Sequence, residues 1–401
     1  MNVVINNFLE QAEELFPYTR SLRRDFHLHP ELGFREIRTG GIVARELEAL
    51  GIEVTKGVGK TGVVGLLEGA KPGPTLLVRF DMDALPITED TGTEYASQNQ
   101  GVMHACGHDG HTAIGLTVAK MLHSRREELA GTIKFCFQPS EEGTNGEEIG
   151  GAEMMMRDGV LDHPKVDRTL SLHLWNERPL GWLGIAGGPV MAGADIFTIK
   201  ITGKGGHGAI PQQTIDPVVA SAQIVTALQT VVSRNVAPLE TAVVSVTTIH
   251  AGTAFNVIPQ TAELTGTIRT FDNGVRQRVV ERFEQIVRGV GEALGCQVDV
   301  NVKRMTPALV NDSAIASKVQ DAARSVLPES DLDLKGYITM GAEDMAFMQE
   351  KVPGCYFFVG SANAERHLDY GHHHPKFDFD EQALIRASAL MASAVMDVQN
   401  A

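Results

Sequence analysis

The chain has 401 residues, and its 35 Lys and Arg against 50 Asp and Glu leave a formal charge of −15. That acidic balance argues against nucleic acid and anionic membrane surfaces as partners, since both reward clustered cations. The length suggests two domains, because single cores stop growing at roughly 250–300 residues, and no apolar run approaches the ~18 residues that a membrane helix needs. The N-terminal MNVVINNFLEQAEELF has early acids and no basic segment followed by an apolar one, so it is not expected to be a secretory leader. Cys106, Cys136, Cys296 and Cys355 form no C-x-x-C pair and no disulfide framework. The expected setting is the reducing cytosol, with thiols free or metal-bound.

Residues 5–26 place Ile5, Phe8, Leu9, Ala12, Leu15, Phe16, Tyr18 and Leu22 at helical spacing. The short apolar runs 63–68 and 75–80, bounded by Gly and Pro, read as buried strands. Residues 110–124 read as a helix, 132–137 as a strand, 148–158 as a helix and 168–172 as a strand. Strands alternating with helices imply an α/β layer with a largely parallel sheet. The character changes near 187–195. FTIKIT (197–202) and TAELTGTIRT (261–270) alternate apolar and polar residues, the mark of strands with one solvated face. With helices over 215–234 and 273–294 and strands over 242–249 and 296–302, the order is β-α-β-β-α-β, the split βαβ or ferredoxin-like arrangement. Residues 188–303 are therefore expected to be an inserted domain, and 1–187 with 304–401 one α/β domain. The last piece adds a helix (313–326), a buried strand (355–359) and a C-terminal helix (381–398).

The chemistry concentrates in a few places. MHACGHDGH (103–111) holds His104, Cys106, His108, Asp109 and His111, and GHHHPKFDFDE (371–381) holds His372, His373 and His374. Asp81, the Glu141–Glu142 pair and His173 each fall at or just past the carboxyl end of a predicted buried strand, the edge where open α/β sheets bind ligands. Thiolate, imidazole and carboxylate are the ligand set of Zn²⁺ and its neighbours. Cys106 and His108 are two apart, so they cannot share one face of a regular helix, but a turn, which Gly107 and Gly110 permit, could point both at one metal. Two adjacent glutamates can divide labour, one binding metal and one acting as general base. A lone buried His or Cys is more often a core residue; His27 and His29 are read that way, packing or capping where a helix ends before Pro30. GKGGHG (203–208) lacks the spacing of a phosphate loop.

RFDMDALP (79–86), HACGHDGH (104–111), QPSEEG (138–143), GKGGHGAIP (203–211), NVIP (256–259), GTIRTFD (266–272) and HHPKFDFDE (373–381) occur in one order. Together they resemble the aminoacylase/carboxypeptidase metallopeptidase family, in the branch of hippurate hydrolase, N-acyl-amino-acid amidohydrolases and plant auxin-conjugate hydrolases. The resemblance covers essentially the whole chain. It implies a dimetal aminopeptidase-like catalytic domain with an inserted lid that also serves dimerisation, hence a homodimer or homotetramer. It implies that Cys106, His108, Glu142, His173 and His373 bind two divalent metals, and that Glu141 is the general acid/base. His373 is favoured over His372 and His374 because the family's His lies two before the Pro. Asp81 would orient a ligand from behind. Related branches carry a metal-binding His where this chain has Arg79, a loss that Cys106 would make good. His207 and Asn256 would contact the substrate, with His207 open to reaching it from a partner subunit, and Arg269 would pair with the substrate carboxylate.

The activity so implied is hydrolysis of the amide of an N-acyl amino acid, giving a carboxylic acid and a free amino acid, with the lid closing over the site. A thiolate ligand leans toward Zn²⁺; Mn²⁺, Co²⁺ and Ni²⁺ are compatible. The alternative within enzymes is a metallocarboxypeptidase for short peptides, and the alternative of another class is a non-catalytic metal-dependent binding protein. An unliganded Glu141 speaks against the latter.

Overall fold

The structure is a computed structural model and describes residues 7–328 and 336–399. The chain forms two compact units: one from the described parts of 1–190, 310–337 and 344–401, the other from 191–309 and 338–343.

The elements run α1 (Phe8–Leu28), α2 (Ile37–Ala49), β1 (Glu53–Val58), β2 (Gly62–Glu68), β3 (Lys71–Asp81), α3 (His108–Ser124), β4 (Ala130–Gln138), α4 (Gly151–Arg157), β5 (Arg168–Pro179) and β6 (Leu183–Gly184). The chain passes through β7 (Gly188–Met191) to β8 (Gly193–Thr202), β9 (Gly206–His207), α5 (Pro217–Asn235), β10 (Ala242–Ala251), β11 (Val257–Ile258), β12 (Thr261–Thr270), α6 (Asn273–Ala293) and β13 (Gln297–Thr306). It returns through β14 (Leu309–Asn311), α7 (Ser313–Val326), α8 (Met345–Gln349), β15 (Gly354–Ala362) and α9 (Ala383–Gln399). Ile5, at the head of the first expected helix, lies outside the described residues.

The first unit is built on a seven-stranded sheet ordered β1-β2-β4-β3-β5-β15-β6. β4, β3, β5 and β15 are mutually parallel, while β1/β2, β2/β4 and β15/β6 are antiparallel. The sheet is thus mixed rather than largely parallel. Only residues 59–61 join β1 to β2, and so short a connection can make only an antiparallel hairpin. α2 and β1 are not announced by periodicity, because Gly40–Gly41 interrupts the helical signal. Gly40 is there for space: a Cβ would stand 2.9 Å from the Thr61 carbonyl oxygen. The parallel strands are buried over most of their length because helices cover them. α3 and α9 pack on β3 and β5, burying Val78, Phe80, Ile114, Phe137, Leu172 and Leu390.

In the second unit the antiparallel sheet is ordered β10-β12-β8-β13, with α5 and α6 packed on it. The alternation read from FTIKIT is visible directly: Phe197, Ile199 and Ile201 are buried, and Lys200 is exposed. Asp216 and Asp272 cap the two helices, each carboxylate accepting first-turn backbone N–H groups.

The parallel strands place the chemistry. Asp81 and Gln138 are register partners at the ends of β3 and β4. Pairing of β5 with β3 stops at Ser171, but β5 continues against β15 as far as Pro179. His173 therefore sits within β5, not beyond the end of a strand at 172. It lies just past the last residue that β3 covers.

Candidate metal centre

α3 opens at His108, directly after Gly107 in the left-handed region (φ 89°). That reversal lets two residues two apart face one place. Cys106, His108 and His173 form a group whose ligand atoms lie within 4.8 Å of one another, and the same holds for Cys106, Glu142 and His373 and for His108, Glu141 and Glu142. These overlapping groups bring together Cys106, His108, Glu142, His173, His373 and Glu141, all in the first unit. A further group, Asp81, His108 and His111, adjoins them through His108.

Backbone carbonyls select which ring nitrogens face the cluster. His108 Nδ1 donates to the Asp83 carbonyl at 2.9 Å, and His173 Nδ1 to the Leu174 carbonyl at 2.6 Å. In the neutral rings each Nε2 then carries the lone pair, the arrangement common to metal-binding imidazoles. His173 Nε2 lies 3.5 Å from Cys106 Sγ. His108 Nε2 and Glu142 Oε1 are buried without a hydrogen bond, and atoms so orphaned cost about 1–3 kcal/mol each. Glu142 Oε1 lies 3.1 Å from His373 Nε2.

Charge points the same way. Burial first, then Glu142, Glu141 and Asp81, push the Cys106 thiol well above its ordinary range. Burial lowers His108, but Asp81, Asp83 and Glu142 more than offset it and lift the ring to about 10. The carboxylates thus hold protons on the thiol and the ring, and a dication would release both. Converging N, S and O donors, orphaned lone pairs and excess negative charge fit divalent metal.

The three adjacent histidines differ. His372 Nε2 accepts the Asn176 N–H at 3.2 Å, and its Nδ1 lies 3.9 Å from Cys106 Sγ; burial draws it down to about 3. His373 faces Glu142, whereas His374 stacks on Tyr370 at 4.7 Å between centroids. His104 is buried and joins no metal-competent group among the described residues; burial pulls it down to about 4.

Asp81 is held from both sides. Its Oδ1 accepts from His111 Nδ1 at 2.6 Å and its Oδ2 from Arg79 Nη1 at 2.7 Å. Burial opposes its charge, but His108, His111 and Arg79 keep the carboxyl well below its usual range. His111 Nε2 accepts the Leu174 N–H at 2.9 Å, so this chain of bonds reaches the β5 segment that carries His173. Asp83 Oδ2 accepts the Glu142 N–H at 3.1 Å. Sequence reasoning gave His111 and Asp83 no part, and the available signal was their place inside HACGHDGH and RFDMDALP. Glu141 Oε1 accepts the Asp344 N–H at 3.4 Å.

His207, Asn256 and Arg269 belong to the second unit. His207 is exposed in β9 and pairs in register with Val257, and the Gly208 N–H donates to the Asn256 carbonyl at 2.8 Å. His207 and Asn256 are therefore neighbours. Arg269 is half-buried in β12, where desolvation lowers its guanidinium.

His29 caps the end of α1 by bonding the Asp25 carbonyl. His27 is more than a packing residue. It is buried, 2.8 Å from Asp109 Oδ2 and 3.3 Å from Glu89 Oε1. Burial and Arg23 lower it, but these two acids raise it to about 8. The charged ring therefore stabilises the fold fully below the unfolded value near 6.5, and that contribution is lost as pH rises through about 8. At 1.36 kcal/mol per unit the loss is about 2 kcal/mol. Urea unfolding at pH 6.5 and 9 is expected to show it, and His27→Gln is expected to abolish the difference. An equal pH dependence in the variant would assign it to another group.

Residues 77–397 match peptidase family M20/M25/M40. Over 385 residues (94% of this chain, 96% of the relative) the chain is 40% identical to the N-acetylcysteine deacetylase of Bacillus subtilis. It is 37% identical over 383 residues to thermostable carboxypeptidase 1 of Saccharolobus solfataricus, covering 95% of each. The crystal structure of a B. subtilis dinuclear metal binding peptidase of the M20 family superposes with a TM-score of 0.84 at 36% identity, covering 97% of this chain and 99% of that one. No helix among the described residues is long and apolar enough to cross a membrane. Match, coverage and fold together place the chain in peptidase family M20/M25/M40, as a hydrolase acting on amide bonds.

Proposed function

We propose that the protein is a metal-dependent amidohydrolase that cleaves N-acyl amino acids. The observation that carries this reading is the cluster itself: Glu142 groups with Cys106 and His373, and Glu141 groups with His108 and Glu142. Cys106, His108, Glu142, His173 and His373 would hold two divalent ions, which when bound supply Lewis-acid polarisation and make water acidic enough to attack at neutral pH. Glu141 takes the proton of the attacking water on its carboxylate and gives it to the departing amine nitrogen. The Asp344 N–H on Oε1 keeps that carboxylate oriented. Asp81, held by Arg79 and His111, keeps its charge and positions the imidazoles around it. His207 and Asn256 would contact the scissile amide and Arg269 the substrate carboxylate; one well-placed donor to a developing oxyanion is typically worth about 3–4 kcal/mol. The N-acetylcysteine deacetylase relative supports an acyl amino acid as substrate, and a thiolate ligand favours Zn²⁺ over Mn²⁺, Co²⁺ and Ni²⁺.

The second reading, a carboxypeptidase for short peptides, is favoured by the carboxypeptidase relative. One experiment separates them. Chelator-stripped protein is re-metallated with one ion at a time and assayed on N-acetyl, N-benzoyl and dipeptide substrates sharing one C-terminal amino acid. Ion-dependent release of amino acid from the acylated substrates, at least tenfold faster than from dipeptides, is the expected result. The reverse ratio would make it a peptidase, and turnover unaffected by stripping would remove the metal.

A further inference from the structure

α1 lies outside residues 77–397, yet it supplies a cation that bonds both the segment carrying His108 and the segment that follows His372–His374. Arg23 is wholly buried. Its Nε donates to Asp109 Oδ2 at 2.8 Å, and Nη2 donates to Asp378 Oδ1 at 2.6 Å. Nη1 lies 3.4 Å from Glu381 Oε1. The guanidinium is layered between two rings, 4.4 Å from the centroid of Phe379 and 4.8 Å from that of Tyr95. The Tyr95 hydroxyl donates to the other oxygen of Asp378 at 2.7 Å, and Arg24 holds Glu381 through two bonds of 2.8 Å.

The acids that Arg23 grips are the neighbours of the candidate ligands. Asp109 follows His108 in the first turn of α3. Asp378 and Glu381 close the segment that begins with His372–His374. These two segments are remote in sequence, and one planar group bonds both. A guanidinium presents its N–H groups in fixed directions, so it sets an angle and a distance as well as a charge. Stability alone does not call for such a group, because apolar side chains of similar volume often replace a buried ion pair without loss. Directional spacing is what they cannot reproduce.

We infer that Arg23 is a positioning residue for the metal centre: by tying Asp109 to Asp378 it fixes the separation of His108 from the 372–374 histidines, and thereby the affinity for the ions. This rests on the metal reading proposed above. Removing outer partners of ligands typically costs 10–100-fold in metal affinity, and Arg23 is expected to fall in that range.

The test is Zn²⁺ affinity, measured on the full chain by competition with a chromophoric chelator. Arg23→Lys keeps the charge and loses the fork. Asp378→Asn is milder: it keeps one oxygen for Arg23, loses the charge and turns an amide NH2 toward the Tyr95 hydroxyl. Arg276→Lys, at the partly exposed ion pair with Asp195 in the second unit, is the control for a general loss of stability. Arg23→Lys and Asp378→Asn are expected to weaken Zn²⁺ binding about 10–100-fold while the control stays within a factor of about two, even where melting temperatures fall alike. If Arg23→Lys does not fold, Asp378→Asn decides alone. Unchanged Zn²⁺ affinity in the folded variants overturns the inference and leaves the metal reading intact. Wild-type protein that binds no Zn²⁺ overturns both, and this is visible before any variant is compared.

Discussion

Glu141→Gln is expected to retain its full metal content and lose about 10³-fold in kcat, within the range that a positioned acid/base supplies. Gln is isosteric and can still accept the Asp344 N–H that reaches Oε1. What it lacks is a carboxylate able to take a proton from water and return it to nitrogen. The position therefore separates proton transfer from ligation, while Glu142→Gln should lose metal as well as rate. Metal analysis beside steady-state kinetics checks both. A Glu141→Gln enzyme with kcat within tenfold of wild type would remove Glu141 from the chemistry, and one that loses its metal would make Glu141 a ligand.

Arg79→Met is expected to cost about 3–5 kcal/mol of stability, because it strands two buried carboxylates. Arg79 is fully buried and donates to Gln138 Oε1 at 2.9 Å, Asp81 Oδ2 at 2.7 Å and Asp344 Oδ1 at 2.9 Å. Without the cation, Asp81 and Asp344 face each other's charge in a region that excludes water. Their pKa values should rise, so the penalty should be largest at pH 8 and shrink at pH 5, where protonation relieves it. Urea unfolding of metal-stripped wild type and variant at both pH values measures the difference. A cost below about 1 kcal/mol, well short of the range for a broken buried pair, would show that the carboxylates find other partners.

The sequence announced elements where one physical signal dominated. The apolar runs of β3, β4 and β15 and the alternation of β8 and β12 left little choice of structure. α7 is read to the residue, because Asp312 is a good cap and the apolar spacing that follows is regular. The signal weakened where tertiary packing overrides local preference. α2 contains Gly40, which packing demands and propensity penalises. β5 runs on past Leu172 because β15 pairs with it through Trp175 and again at Pro179, a fact that no local pattern contains. The candidate ligands were legible because Cys, His and Glu are dense in short motifs. The groups that hold them were not. Arg79 reads as a charged residue in an apolar run, and Arg23 as one of three arginines on an amphipathic helix. Their partners are far along the chain, so nothing nearby in sequence marks them.

β15 lies between β5 and β6 in the sheet, so that sheet cannot close until the polypeptide beyond residue 354 has left the ribosome. The four strands β8, β10, β12 and β13 are complete by residue 306 and can assemble their own layer first. Nascent chains therefore pass through a stage in which β5 has a bare flank, a stage suited to chaperone capture and open to aggregation. His373 emerges later still, so a centre that needs it would fill only after β3, β4 and β5 have been made.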